Sequence, residues 1–558
     1  MRGVWMMCLS MVGCASLPPP ASRCASPEAF AATFARTASA PDRAALEAFA
    51  RGQRPDRGRR DRAIESAAVA YAEACALPRA IELTRDLVAF PTVGLPTTNP
   101  AFAAMRVYLE RLAERDGFEL RKFGAEEVFE VVYGKGDPAL GFVMHGDVVA
   151  VKDWTTNSTS ATFRSPDWTH LPFHAEIFGR RLFGRGSEDD KGPIAAAIVA
   201  LETLSGFGLR PRGEIRVIIG NGEESDWDGM VAYARGGRVH PPHVISVDAS
   251  FPVVIAESGF VDFGLSFTTP PGEHKQAHVV RAEAGLFLTQ VPGSGELELE
   301  PADGEELGQL LVRAQAAATS ATNALGAAFR AEVTSTQHSV LIKTFGDAVH
   351  SSVAEEGKNA LWLLAEIAAA LDLAPDAAGQ ALRVIHERFV GDHHGQRLGL
   401  SYSHALMGEL LVAPTLLRTA PGSASLRVNM RRPAGRSSDE FRASLEAALS
   451  SLGAIAPTVQ MASDSWVGEP AVADTQGKLV PTLLEIFRRR ANDPGATGVA
   501  IRGGTYARLF PGAVSFGPSL PGRPYRGHAP DESIELEALE LMVPALVEAS
   551  LALAFPEP

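Results

Sequence analysis

Thiols are scarce in this chain and confined to one end. Only four cysteines occur in 558 residues, Cys8, Cys14, Cys24 and Cys75, and all precede the region that carries the chemistry. The body of the chain therefore holds no disulfide framework, no thiolate nucleophile and no cysteine zinc site. Positive charge is also short. A net charge of -14 repels a phosphate backbone, and the catalytic region has no basic face, which excludes nucleic acid as a main partner. The one basic stretch, 51–62 with six arginines, reads as a solvated linker or helix face. Long apolar runs are missing too: the longest near the N-terminus is too short to span a bilayer as a lasting helix.

What is present suggests a soluble globular body of two or three domains, since 558 residues exceed what one core usually organises. Residues 40–76, rich in Ala and Arg at helical spacing, read as a helical extension ahead of the main domain. Helices are predicted over 78–90 and 101–116, the second ending before Gly117. An α/β alternation follows: a strand at 140–144, a helix over 193–204 with proline in its first turn, and strands at 214–219 and 244–247. Strands separated by helices imply a mostly parallel sheet flanked by helices, with ligands gathering beyond the strand C-termini.

After Phe251 the pattern changes to longer alternating β-like runs with helices around 316–329 and 358–371. This section is long enough for one domain or two small repeated ones. The α/β pattern returns with a helix over 478–490, the glycine-rich turn IRGGTYAR and a strand at 513–516. The expected fold class is thus α/β, a catalytic domain interrupted by an inserted α+β domain. Its expected boundaries are 78–257 and 465–558 for the catalytic domain, 258–464 for the insert, and 21–77 for the extension.

Within this frame, four motifs crowd into one domain's length: HGD at His145, EDDKGP at Glu188, NGEES at Asn221 and SVDASFP at Ser246. A fifth, GHAPDE at Gly527, stands near the C-terminus. They supply two imidazoles and several carboxylates, a donor set suited to two divalent metal ions holding a water molecule. His145 and Asp147 are two apart at a strand end, so they share a face if the strand continues, with the carboxylate close to the imidazole. Asp189 and Asp190 open a helix, where an aspartate is also a common cap; Asp189 is the candidate to bridge two ions with its two oxygens. Glu223 and Glu224 are adjacent like charges that a nearby cation would reconcile, as would solvent. Singly each motif has an ordinary reading as a polar turn; five in this order point to a metallohydrolase.

The chain resembles the PepV-like dipeptidases within the two-metal exopeptidases that include carboxypeptidase G and the aminoacylases. The resemblance runs from about Pro78 to the C-terminus, on FVMHGDVVAV, LFGRGSEDDKGP, NGEES, SVDASFPV, FGDAVHSSVAEEGKNA, NMRRPAG, GGTYARL and GHAPDE. It implies a dipeptidase that hydrolyses the amide bond of dipeptides or short peptides through a metal-bridging hydroxide. The alternative is an N-acyl amino acid deacylase or carboxypeptidase using the same two-metal site. Asp189 would bridge, Glu224 and His528 would complete one metal, and His145 and Asp248 the other; zinc is the expected ion, with manganese or cobalt as substitutes. Asp147 would orient His145, Glu223 would be the general base, and the Asp189–Asp190 peptide would be cis. The insert would be a lid, carrying His350 as oxyanion donor and Arg431 to grip the substrate carboxylate, with Gly503, Gly504 and Thr505 lining the same pocket. A monomer is expected from the lid's size.

The N-terminal MRGVWMMCLSMVGCAS resembles a bacterial lipoprotein signal, with Cys14 as the lipidated first residue and LPPPAS as a tether. Residues 1–20 are then signal and tether, and the protein is exported to the periplasmic face of a membrane. A leader of another kind would leave it cytoplasmic.

Overall fold

The strand Pro138–His145 is buried at almost every position, as is Glu214–Gly220 beside it. Such two-sided burial needs cover on both faces. The helix Lys191–Gly206 shows one source of that cover. Its alanine-rich sequence is buried nearly all round, packed against these two strands and against the helices Leu77–Val88 and Leu536–Leu553. The computed structural model describes residues 24–54, 61–272 and 275–555. The leader, tether and Cys14, with part of the arginine-rich stretch, lie outside the described residues.

Contacts divide the chain into two units. The first comprises the described residues up to Val253 with Gln476–Thr497 and those from Leu509 onward; the second comprises Val254–Thr475 and Gly498–Arg508. In the first unit the strands Glu214–Gly220, Pro138–His145, His243–Ser246 and Val514–Ser515 run parallel in that spatial order. Val128–Gly134 and Glu119–Phe123 extend this sheet antiparallel. The chain leaves the C-terminal ends of three parallel strands directly into HGD, NGEES and SVDASFP, so the topology alone gathers those motifs at one sheet edge.

The N-terminal extension belongs to this unit. Its helices Pro27–Phe34, Ala40–Ala50 and Arg62–Cys75 begin with proline or with a capping side chain: Ser26 accepts from the Ala29 N–H, Asp61 from Ala63 and Ile64. Phe49 stacks on Phe207, with ring centroids 5.2 Å apart, and Tyr71 meets the same ring at 5.6 Å. A Cys24–Cys75 disulfide closes the extension.

The second unit is built on an antiparallel sheet. Its strands lie in the order Arg330–Ser335, Val340–Phe345, Ser294–Glu300, His278–Ala284, Leu411–Ala420, Ser423–Arg432 and Gly259–Thr268. Burial alternates along Val340–Phe345 and Ser294–Glu300, the signature of a sheet covered on one face. The helices Leu307–Leu325, Ala360–Leu371 and Ala377–Arg388 share its apolar core. The first of these differs from the predicted 316–329. A capping box between Glu306 and Gln309 starts it earlier, Gly326 ends it, and Phe329 leads into a strand instead. Within this unit Val499–Ile501 pairs parallel with Val254–Glu257, which places the glycine-rich turn after it there as well.

Candidate metal centre

Asp189 is the hub of the acidic cluster in the first unit. Its Oδ1 lies 2.6 Å from His145 Nε2, and its Oδ2 lies 3.1 Å from His528 Nε2. Each histidine meets one further carboxylate: Asp248 Oδ1 is 3.6 Å from His145 Nε2, and Glu224 Oε1 is 2.7 Å from His528 Nε2. Ligand-capable atoms converge within metal-binding distance in three overlapping groups: His145, Asp190 and Asp248; His145, Glu223 and Glu224; and Asp189, Glu224 and His528. The Asp189–Asp190 peptide is cis.

The backbone explains how separate loops hold this shape. The strand ends at His145, so Asp147 lies just beyond it. Asp147 meets His145 Nδ1 both with its main-chain oxygen, at 3.0 Å, and with its carboxylate, at 3.4 Å. That carboxylate also accepts from the N–H groups of Glu223 (3.1 Å) and Glu224 (2.9 Å), tying HGD to NGEES. Asp190 sits at the N-cap position of its helix but makes no capping bond. Its Oδ2 accepts from the His145 N–H at 3.2 Å, and its buried Oδ1 has no hydrogen-bond partner among the described residues.

Burial pushes the Glu223 carboxyl well up from its ordinary range, and the neighbouring Asp248 charge adds to it. Burial likewise raises Glu224, to about 7, and Asp248. Against burial, the His145 and His528 imidazoles hold Asp189 well below its ordinary value. Among the described residues no lysine or arginine pairs with Asp189, Glu223, Glu224 or Asp248, so a cation is the complement this donor set lacks. A pair of hard or borderline divalent ions fits carboxylate and imidazole donors of this number and spacing. Glu223 carries no hydrogen bond or ion pair on its carboxylate among the described residues, which leaves it available for proton transfer.

The second unit holds the remaining predicted residues. Arg431, buried in the strand Ser423–Arg432, donates to Ser351 Oγ (2.9 Å), Asn429 Oδ1 (3.1 Å) and the Arg502 main-chain oxygen (3.4 Å). No carboxylate pairs with it among the described residues, and burial, reinforced by Arg508, pushes its guanidinium down. The Arg502 contact brings the 503–505 turn beside it. Thr505 is less open than expected: its hydroxyl and N–H both donate to Glu257, at 2.7 and 3.1 Å. His350 immediately precedes Ser351, with Nδ1 2.7 Å from Ser352 Oγ and its ring exposed.

The model of peptidase family M20/M25/M40 matches residues 141–551. The chain belongs to this family. It is 30% identical over 453 residues to YtjP of Bacillus subtilis (strain 168), covering 80% of this chain and 89% of that protein. It is also 30% identical over 477 residues to the Beta-Ala-Xaa dipeptidase of Lactobacillus delbrueckii subsp. lactis, covering 84% and 93% respectively. Among solved structures, human carnosine dipeptidase 1 shares the fold, with a TM-score of 0.50 at 14% identity over 87% of this chain and 99% of that one.

For this M20-family chain, three site neighbours escaped the sequence reading. Glu188 accepts from Ser519 Oγ and the Arg526 N–H, Tyr525 donates its hydroxyl to Asp189 Oδ2, and Glu532 binds the turn before Asp189. Glu188 and Glu532 stand inside motifs already singled out. Their contacts, 331 and 344 residues away in sequence, carry no local signal.

Proposed function

We propose that the chain hydrolyses the amide bond of dipeptides or short peptides at two divalent metal ions, zinc first and manganese or cobalt as substitutes. The observation that carries this reading is the split of the Asp189 carboxylate, with one oxygen toward His145 and Asp248 and the other toward His528 and Glu224. Two ions held by these residues would lower the pKa of water toward 7 and polarise the scissile carbonyl.

The protein supplies the rest. Glu223, whose raised pKa suits a proton carrier, takes the proton of the attacking water and returns it to the departing amine. His145 is held by the Asp147 main-chain oxygen, which fixes its Nδ1 and leaves Nε2 to face the ligand cluster. His350 is the proposed donor to the developing oxyanion, and Arg431 the proposed partner of the substrate's C-terminal carboxylate. The lack of a carboxylate partner on buried Arg431 among the described residues supports its role, because a buried guanidinium gains most from an anion that arrives. The enzyme is a metal-dependent dipeptidase on this reading.

A panel of dipeptides with free and acetylated N-termini, assayed with zinc, manganese or cobalt, tests the assignment. Cleavage of the free set supports it; cleavage restricted to the blocked set would establish the deacylase alternative, which rests on the same metal ligands.

Export with lipidation at Cys14 is the proposed location, supported by the Cys24–Cys75 disulfide, since such bonds persist in oxidising compartments. No helix among the described residues is long and apolar enough to cross a membrane. Labelled palmitate should enter the wild-type protein and not C14A, and equal labelling of both would remove the lipid anchor.

A further inference from the structure

Glu532 lies four residues after His528 and is fully buried. Its Oε1 accepts from the N–H groups of Glu188 and Asp189, both at 3.0 Å. Its Oε2 accepts from the Gly186 N–H at 2.9 Å and from Arg185 Nη1 at 2.7 Å. Three of these four bonds therefore end on the backbone of the turn that presents Asp189, one of them on Asp189 itself. The other side of the residue is anchored as well: its main-chain oxygen accepts from the Gly184 N–H, and Ser533–Glu535 pairs with Arg181–Phe183.

Arg185 completes a closed link. Its guanidinium lies 5.0 Å over the Trp168 ring, and Nη2 reaches the His528 main-chain oxygen at 3.4 Å. The His528 loop is bent sharply, with φ of +66° at His528 and +55° at Asp531. Asp531 fixes the outer side by accepting from the Thr169 and His170 N–H groups, at 2.8 and 2.9 Å. One carboxylate, itself in none of the candidate ligand groups, thus links the segments that carry two proposed ligands, Asp189 and His528.

A buried ion pair can be mere ballast in a core, and Arg185–Glu532 by itself would be open to that reading. The bond pattern favours another. The turn's N–H groups need an acceptor in a buried place, and the acceptor comes from the loop carrying the opposite ligand, not from a neighbouring core helix. We propose that Glu532 is a positioning residue, which sets the Asp189 carboxylate between the two halves of the cluster and locks the His528 loop to it. The inference rests on the two-metal reading above.

The test is calorimetric titration of zinc into the metal-stripped full chain, with thermal melts of the stripped proteins alongside. Wild type should bind two ions. E532Q keeps an acceptor for the Glu188 and Asp189 N–H groups but turns a donor toward Gly186 and Arg185. It should fold and lose affinity for at least one ion by about tenfold, within the range of 10 to 100 typical of partners that orient ligands. The double variant R185M/E532L removes the buried charges together but leaves three buried N–H groups without their acceptor, so it should melt below wild type and, at temperatures where it is folded, bind metal at least as weakly as E532Q. Cobalt-loaded E532Q should also show a shifted visible absorption band. Variants that bind two ions as tightly as wild type at temperatures where they are folded would overturn the inference and leave the two-metal reading intact. Wild type binding no more than one ion would overturn both.

Discussion

The two units keep opposite charges in waiting. Among the described residues, Asp189, Glu223, Glu224 and Asp248 crowd around two imidazoles in the first unit without a lysine or arginine partner, and Arg431 is buried in the second without a carboxylate. Neither arrangement is what a stability-driven core would choose, because buried charge is costly unless paired. The difference teaches which charge each unit suits. The acid cluster calls for cations and thus for a polarised amide, while the isolated guanidinium calls for an anion.

The sharpest division should come from Glu223. Glu223→Ala should lower kcat by about 10⁴-fold, the upper range for a positioned proton carrier, with two metals per chain still found by elemental analysis. Retained turnover would dismiss Glu223 as the base. His350→Ala should lower kcat by about 10²- to 10³-fold, as for loss of an oxyanion donor, and again spare metal content. An unchanged kcat would confine catalysis to the first unit.

Arg431→Ala should act on binding. We expect kcat/KM to fall about 10- to 100-fold, mostly through KM, and only for substrates with a free C-terminal carboxylate; amidated peptides should lose nothing further. Arg431→Lys should rescue little, since a point charge does not reproduce a planar fork. An equal penalty on free and amidated peptides would break the proposed division between units.

The smallest effect concerns Glu188, whose carboxyl burial pushes up to about 7 from an ordinary 4.5. The fold favours its protonated form, so its stabilising contribution is complete below about pH 4.5 and fades as the pH rises toward 7. In metal-stripped protein, Glu188→Gln should therefore gain Tm over wild type between pH 5 and pH 8, by about 2 °C or more. A difference that is flat with pH would show that ionisation at this site does not burden the first unit.

Much of the first unit could be read from sequence because its signals are local. The strands at Pro138–His145 and Glu214–Gly220 and the helix Ala101–Asp116 came from short apolar patterns and a terminal glycine. The acidic motifs followed directly after strands. What stayed hidden was long-range. Glu532 and Glu188 owe their contacts to partners hundreds of residues away. The early start of Leu307–Leu325 was missed for a simpler reason: a glutamate cap is less conspicuous than serine or aspartate. The Cys24–Cys75 pairing has no sequence signature beyond the two residues themselves.

The order of the chain has one more consequence, concerning time. The segment Gly498–Arg508 belongs to the second unit, and the chain then returns to the first for His528 and Glu532. Synthesis proceeds at about 5–20 residues per second, so a growing chain displays His145, Asp189, Glu224 and Asp248 long before their last companions exist. Until the stretch with His528 and Glu532 has been made, the cluster lacks both an imidazole and the carboxylate that holds its central turn. A growing chain that has not reached His528 is thereby an incomplete chelator, and the cluster assembles only after the segments of the second unit have been made.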